Sequence, residues 1–192
     1  LSINDNIGYA SVSAVDAWID AGLTVPEAED DRVDWDSGAI VGSARSGMDT
    51  IATQLVPMVN EGKTRRMGSR IVEQVMNSGA SACIAGILAL GNQVTSNSSA
   101  CSTGNEALIE GIWRIRMGLA KRMLTGGSEG SSPYIWGGFD ALGVLCCNFN
   151  EEPEKGSRPM SASACGFVPG SGGAILILEE LETALERGAR IY

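Results

Sequence analysis

The stretch that decides the fold prediction is Gln93-Val-Thr-Ser-Asn-Ser-Ser-Ala-Cys-Ser-Thr-Gly104. Its first residues predict a short strand, Cys101 is placed at a sharp turn, and a helix is predicted from about residue 103 to residue 117. Apolar residues occur nearly all round that helix, so we expect it to be buried. They are Ala107, Leu108, Ile109, Ile112, Trp113 and Ile115.

Strands and helices alternate on both sides of this segment. On the N-terminal side the pattern predicts a helix over 6–21, a strand over 38–42, a helix over 47–60 that is kinked at Pro57, and helices over 70–78 and 80–90. On the C-terminal side it predicts a strand over 122–127, a helix from Ser132-Pro133 to about 142, a polar loop over 146–163, strands over 166–169 and 173–178, and a helix over 179–187. This alternation predicts an α/β protein.

Composition excludes several classes of function. The chain has 192 residues, enough for one domain with a sizeable core, and a net charge of -9, which argues against a general nucleic-acid binder. No apolar run reaches the roughly 18 residues of a membrane helix. Since the sequence contains 0 His, this chain cannot complete a Ser-His or Cys-His pair or a His-ligated metal site.

The cysteines and the chain ends give two further expectations. Five Cys without a CxxC spacing, in a chain too large to need disulfide staples, indicate a reducing, cytoplasmic setting. The adjacent Cys146 and Cys147 suggest metal binding or redox work, but without a second ligand pair we favour packing. The chain begins with Leu1 instead of Met, and residues 189–192 resemble the first residues of a strand. We expect the chain to be a piece of a longer protein.

Cys101 is the leading candidate for chemistry. A thiol at the first turn of a helix lies near the positive end of the helix dipole and near free backbone N–H groups, and both favour the reactive thiolate. A strand–turn–helix also raises the side chain out of the backbone, and the Cys101 N–H could serve an oxyanion. The alternative is a buried structural cysteine, the commoner role of free Cys.

Several motifs in this order carry a family resemblance. They are Ser99–Gly104, Gly126-Gly-Ser-Glu129, Phe139–Gly143, Asn150–Pro159, Gly166-Phe-Val and Leu178–Tyr192. Together they resemble the β-ketoacyl-acyl carrier protein synthases of fatty acid and polyketide synthesis, most closely the synthase I/II type. A single one of these motifs would be weak, whereas the ordered set is specific.

The resemblance implies a thiolase-like fold in which two αβ halves form a layered α-β-α-β-α architecture. Residues 1–192 would be most of the first half, without its first strand, and the second half would hold two catalytic histidines and a lysine. The implied reaction uses no cofactor. Cys101 accepts an acyl group from an acyl carrier protein thioester, and malonyl-acyl carrier protein then loses CO2 and attacks the acyl-cysteine.

The resemblance also assigns binding residues. Ala100, Ile135 and Phe139 match the acyl-channel wall, and Arg45 matches a gate position that is usually Gly or Ile. Ile135 and Phe139 could equally be core residues, and Arg45 could simply face solvent. Among the departures from the family pattern, Cys146-Cys147 replaces Ser-Thr, Ala164-Cys165 replaces Arg-Asp, and Ser171 replaces an acidic residue.

Partners follow from the same resemblance. Arg65 and Arg66 match a basic turn that docks the acidic carrier protein, although a solvated loop is the usual role of such a cluster. A homodimer is implied, with the strand over 93–98 near its two-fold axis. Two other functions stay open: a non-catalytic partner subunit of the chain-length-factor type, and an inactive fragment. Retention of Cys101 favours the enzyme, because such factors replace that cysteine.

Overall fold

The computed structural model describes residues 3–192 and shows a four-stranded mixed sheet; Leu1 and Ser2 lie outside the described residues. The strands are β1 (Ser37–Gly42), β2 (Val94–Thr95), β3 (Arg122–Glu129) and β4 (Gly172–Glu179), in the order β2-β1-β3-β4. β1 is parallel to both β2 and β3, and β4 is antiparallel to β3. The predicted α/β class is confirmed.

Eight α-helices surround this sheet within residues 3–192. They are α1 (Asp5–Asp20), α2 (Met48–Thr50), α3 (Val56–Asn60), α4 (Ile71–Val75), α5 (Gly79–Leu88), α6 (Thr103–Arg116), α7 (Pro133–Ala141) and α8 (Leu181–Glu186). None of these helices has the length and apolar character needed to cross a membrane.

Helices cover both faces of the sheet because successive strand residues point to opposite sides. Ala39, Val41 and Leu124 are fully buried against apolar residues of α1 and α5. Ile40 and Met123 are buried on the opposite face, where they pack with Ala107 of α6. This gives three layers, α-β-α, with β1 and β3 at the centre.

Pro57 affects the helix over 48–60 in a specific way. Proline has no N–H to donate to the preceding turn, which commonly bends or rearranges a helix. Here α2 and α3 are joined by a π-helical segment over Ile51–Leu55, just before the proline. The predicted irregularity is therefore a wider helical turn, and the helical path continues through it.

The prediction that α6 is buried was wrong. Ala107 and Gly111 are buried on the side that faces β3, and a Cβ at Gly111 would lie 2.3 Å from Thr125. Ile109 and Trp113 are 45% and 59% exposed on the other side. Only one face of α6 packs against other residues within 3–192. The apolar composition of the helix therefore did not predict which of its side chains are buried.

Three predicted strands are shorter or absent. Residues 166–169 form a single bridge between Leu145 and Phe167, because Pro169 has no N–H to extend a ladder. Residues 189–192 have no regular structure, and the Tyr192 hydroxyl bonds Asp20 of α1 at 2.9 Å. β2 ends at Thr95, after which the Ser96 hydroxyl, instead of the backbone ladder, bonds the carbonyl of Val41.

Candidate active site

Cys101 lies in a tight turn between the sheet and α6. The turn is a 3-10 helix over Ala100–Ser102, and α6 begins at the next residue. Ala100 has φ +53°, in the left-handed region that residues other than glycine rarely adopt. The side chain of Cys101 is exposed. The predicted turn is thus present, and the alternative of a buried structural cysteine does not fit these residues.

A compact set of hydrogen bonds holds the turn. Thr103 Oγ1 accepts the Ser99 N–H at 2.8 Å and donates to the Ala100 carbonyl at 2.7 Å. Asn97 Nδ2 donates to the Thr103 carbonyl at 2.8 Å. Thr103 is 5% exposed, so these bonds are largely shielded from water. Such local bonds fix the backbone of a turn where its φ value is unfavourable.

Glycines allow the turn to sit directly on the carboxyl ends of β1 and β3. A Cβ at Gly42 would lie 2.2 Å from Thr103 Cγ2 and 2.5 Å from Asn97 Oδ1. A Cβ at Gly127 would lie 3.4 Å from the Gly104 Cα. Because these strand ends lack side chains, the start of α6 reaches the sheet edge where α/β proteins usually place their ligands.

Cys101 lies directly before the start of a long helix, where negative charge on a reacting group is stabilised. The turn precedes a helix of 14 residues, whose dipole stabilises negative charge near its start. Glu106 in the first turn of α6 opposes this effect, but Ser102 Oγ donates to its carboxylate at 3.2 Å. An exposed thiol at a helix start is the type of cysteine that reacts as a nucleophile.

A cleft lies beside the turn, at the ends of β1, β3 and β4. Its lining residues are Gly42, Ser43, Ala44, Ala100, Thr103, Gly104, Gly127, Ser128, Glu129, Gly172, Gly173 and Ala174. Most of these residues are small, so the backbone is accessible from the cleft. Among residues 3–192, no group of three or more His, Cys, Asp or Glu is arranged to hold a metal ion.

Glu129 organises the loop after β1, a role that the sequence analysis missed. Its carboxylate accepts the Ala44 N–H at 2.9 Å, the Arg45 N–H at 3.1 Å and the Ser43 hydroxyl at 3.2 Å. In the sequence, Glu129 is simply the last residue of the motif Gly126-Gly-Ser-Glu129. Its pairing with residues more than 80 positions away could not be read from that motif.

The structure brings some of the predicted pocket residues together and leaves others apart. Ala100 lines the cleft, and Arg45 stands on the loop that Glu129 holds, with its side chain exposed. Ile135 and Phe139 lie on α7 and are not among the residues that line the cleft. Phe139 instead packs edge-on against Phe167, with ring centroids 5.1 Å apart. Their substrate role stays a prediction.

Arg65 and Arg66 lie on an exposed 3-10 turn over Thr64–Arg66. Neither forms an ion pair within residues 3–192, whereas the neighbouring Lys63 pairs with Glu61 at 2.6 Å. The local positive charge on this turn therefore comes from the two arginines. Their docking role also stays a prediction.

Comparison with known proteins identifies the family. The family described as β-ketoacyl synthase, N-terminal domain, matches residues 2–184, nearly the whole chain. The chain belongs to this β-ketoacyl synthase family. The resemblance noted in the sequence motifs is confirmed.

Curated relatives agree with this assignment. The chain is 35% identical over 190 residues to 3-oxoacyl-[acyl-carrier-protein] synthase 1 of Haemophilus influenzae, covering 99% of this chain and 46% of the relative. It is 36% identical over 186 residues to the enzyme of the same name from Escherichia coli strain K12, covering 96% and 45%. The chain thus spans about half the length of these β-ketoacyl synthases.

Solved structures confirm the thiolase-like fold of ketosynthases. A β-ketoacyl synthase from Burkholderia phymatum superposes with a TM-score of 0.87 at 30% identity, covering 98% of this chain and 45% of that one. A type II PKS acyl-carrier protein in complex with its ketosynthase, bound to the hexaketide, gives a TM-score of 0.85 at 29% identity, covering 100% and 47%. The three-layered α-β-α arrangement described above is therefore that of a β-ketoacyl synthase N-terminal domain.

Proposed function

We propose that the full-length protein is a β-ketoacyl-acyl carrier protein synthase of fatty acid or polyketide synthesis. The observation that carries this proposal is Cys101, exposed in a strained turn directly before α6, in a chain of this family. Residues 1–192 supply most of the first half of the enzyme. The resemblance implies that the catalytic histidines lie in the second half, and this chain itself has 0 His.

The chain's own contribution is the first half-reaction. The Cys101 thiolate attacks the carbonyl of an acyl-carrier thioester, a C–S bond forms, and the carrier thiolate leaves. The positive end of the α6 dipole stabilises negative charge beside the reacting atoms. A second carrier thioester, malonyl, then loses CO2, and its carbanion displaces Cys101 to give the β-ketoacyl product.

Further parts of the proposal concern partners and setting. Acyl carrier protein is the partner, and a relative is known in complex with such a protein. Ala100 forms part of the acyl site, and Arg45, Ile135 and Phe139 limit its length once the second half is present. We place the enzyme in the cytoplasm as a homodimer, without a cofactor.

A partner subunit of the chain-length-factor type is the alternative in the same fold, and one solved relative is described as a ketosynthase/chain length factor. Such a subunit has no use for a nucleophile. The exposed, well-supported Cys101 therefore favours the enzyme.

The test is condensation by the full-length protein with acyl-carrier and malonyl-carrier thioesters, followed by detection of CO2 and the β-ketoacyl product. We expect product from the unmodified protein and from Cys83→Ala, a matched control on α5, and a loss of at least about 1,000-fold for Cys101→Ala, as for removal of a catalytic nucleophile. No product from the unmodified protein would contradict the proposal and favour the partner subunit.

A further inference from the structure

Two cysteines outside the active site lie unusually close together. Cys146 follows the bridge residue Leu145, and Cys165 lies 19 positions further along the chain. Their Sγ atoms are 3.0 Å apart, and both side chains are half-buried. The proposed condensation uses neither residue. At this separation, the two sulfurs can bond without moving either backbone segment far.

Gly166 explains why the two segments meet. Its φ is +133°, and a Cβ at this position would lie 2.6 Å from the Leu145 carbonyl carbon and 2.7 Å from the Cys146 nitrogen. The backbone of residue 166 therefore packs directly on the backbone of residue 146. The adjoining bridge adds two bonds of 3.0 Å, from Cys146 N to the Phe167 carbonyl and from Phe167 N to the Val144 carbonyl.

The neighbouring cysteine does not share this arrangement. Cys147 is exposed, and its Sγ contacts the Leu145 carbonyl at 3.7 Å, away from the other two thiols. The hydrogen bond with Cys146 raises the pKa of Cys165 above its ordinary value, and burial of the thiol adds to this effect. We therefore expect the reaction of Cys165 to accelerate as the pH rises through the alkaline range, because the thiolate is the attacking form.

We propose that Cys146 and Cys165 form a reversible disulfide when a low-molecular-weight disulfide is available as oxidant. One thiolate attacks the small disulfide, an S–S bond to the protein forms, and one small thiolate leaves. The other cysteine then attacks this mixed disulfide at the protein sulfur and releases the second small thiolate. The two protein thiols together lose two electrons, and these electrons reduce one small disulfide to two thiols.

The bond would fasten the exposed loop between the two cysteines. That loop contains a short 3-10 turn over Pro153–Lys155, and residues 157–164 have no helix or strand. The bond would also hold Phe167 against Phe139, its edge-on partner. Closing a loop of this size restricts the unfolded chain and raises stability, so the oxidised protein should unfold at a higher temperature.

The experiment equilibrates the full-length protein in buffers of oxidised and reduced glutathione, blocks free thiols, and digests it with trypsin without reduction. Cleavage at Lys155 separates the peptide 123–155, which holds Cys146 and Cys147, from the peptide 156–187, which holds Cys165. Because trypsin cannot separate residues 146 and 147, the digest is also made on Cys147→Ser. We expect the two peptides to be joined, with a mass 2 Da below their sum.

Matched variants decide the assignment. Cys146→Ser and Cys165→Ser should each abolish the joined peptide, whereas Cys147→Ser should retain it. Oxidation should raise the Tm by about 5 °C or more in the unmodified protein and in Cys147→Ser, but not in the other two. A joined peptide that is lost in Cys147→Ser, or no joined peptide at any glutathione ratio, would overturn the proposal. Neither readout depends on condensation activity.

Discussion

At the scale of single residues, the absence of a side chain at Gly42 lets the Cys101 turn rest on the sheet. A Cβ there would lie 2.2 Å from Thr103 Cγ2 and 2.5 Å from Asn97 Oδ1, and both residues hold the turn through other atoms, Thr103 Oγ1 and Asn97 Nδ2. Thr103 is buried, so it cannot move aside freely. The position of the nucleophile therefore depends on a residue about 60 positions earlier in the chain.

We predict that Gly42→Ala displaces the turn. Overpacking at such a site costs about 1–3 kcal/mol of unfolding free energy, and the reaction of Cys101 with iodoacetamide should slow by about tenfold as its helix-start geometry is lost. Urea unfolding and alkylation rates measure the two effects. Gly86→Ala is the control, because Gly86 has open space around it on α5. Equal alkylation rates in the two variants would contradict this role of Gly42.

The residues Arg65 and Arg66 give a second prediction at this scale. The chain has a net charge of -9, so an acidic carrier protein needs a local basic surface to dock. Reversing both charges, in Arg65→Glu with Arg66→Glu, should raise KM for the carrier-bound substrate by about tenfold or more. Activity with a small carrier-free thioester should change little.

The control for this prediction reverses two other exposed charges, in Arg116→Glu with Lys121→Glu, which alters net charge equally. Its KM for the carrier-bound substrate should remain near that of the unmodified enzyme. If the Arg65/Arg66 variant loses activity equally with both substrates, the two arginines support the fold or the pocket, and the docking assignment is wrong.

At the scale of secondary structure, one carboxylate joins three elements. Glu179 at the end of β4 accepts bonds from Arg122 of β3 at 2.7 Å and from Arg187, after α8, at 2.6 Å. Its side chain is 7% exposed. Burial acts to raise the pKa of Glu179, but the hydrogen bonds and charges of Arg187 and Arg122 outweigh it, and the pKa is below the ordinary value of 4.5.

We predict that Glu179→Gln lowers the free energy of unfolding by about 2–4 kcal/mol at pH 7, because Arg187 loses its carboxylate partner and Arg122 keeps only Asp34. A lowered pKa means that the ionised carboxylate stabilises the fold above about pH 4.5, and that this stabilisation is lost as the pH falls further. The difference between variant and unmodified protein should therefore shrink in acid.

Urea unfolding at pH 7 and pH 3.5 measures this prediction. Glu182→Gln, an exposed position on α8, is the control and should change the free energy by less than about 0.5 kcal/mol. A difference between Glu179→Gln and the unmodified protein that stays constant with pH would show that the ion pairs contribute little.

Elements with local signals were predictable from the sequence. Ser132-Pro133 predicted the start of α7, and the Ser132 hydroxyl does accept the Tyr134 N–H at 3.2 Å. Elements that depend on distant partners were not. Pro169 marks where pairing at residues 166–169 stops, but nothing local shows that Phe167 pairs with Leu145, or that Glu129 binds the loop after β1. The closeness of Cys146 and Cys165 likewise depends on backbone contact at Gly166.

At the scale of the whole molecule, the sheet ends in an edge strand next to the candidate nucleophile. β2 pairs with β1 on one side and has no partner strand on the other within residues 3–192. Open edges of this kind favour pairing with another chain. A two-fold axis at β2 would place two copies edge to edge, close to the turn at Cys101.

We predict that the full-length protein is a homodimer through this edge. Light scattering at micromolar concentration should give twice the mass of one chain. Val94→Pro removes an N–H from the edge strand and should shift the mass toward the monomer. Val33→Thr, at an exposed position of an earlier loop, is the control and should leave the mass unchanged. A monomeric unmodified protein would contradict the prediction.

Acylation of Cys101 is the central claim, and peptide mass spectrometry tests it most directly. The full-length protein is incubated with an acyl-carrier thioester and digested with trypsin, and the peptide 71–114, which contains both Cys83 and Cys101, is sequenced by fragmentation. We predict one acyl group, on Cys101, with the same result in Cys83→Ala and none in Cys101→Ala. An acyl group on Cys83, or on any cysteine of the peptide 123–155, would contradict the account.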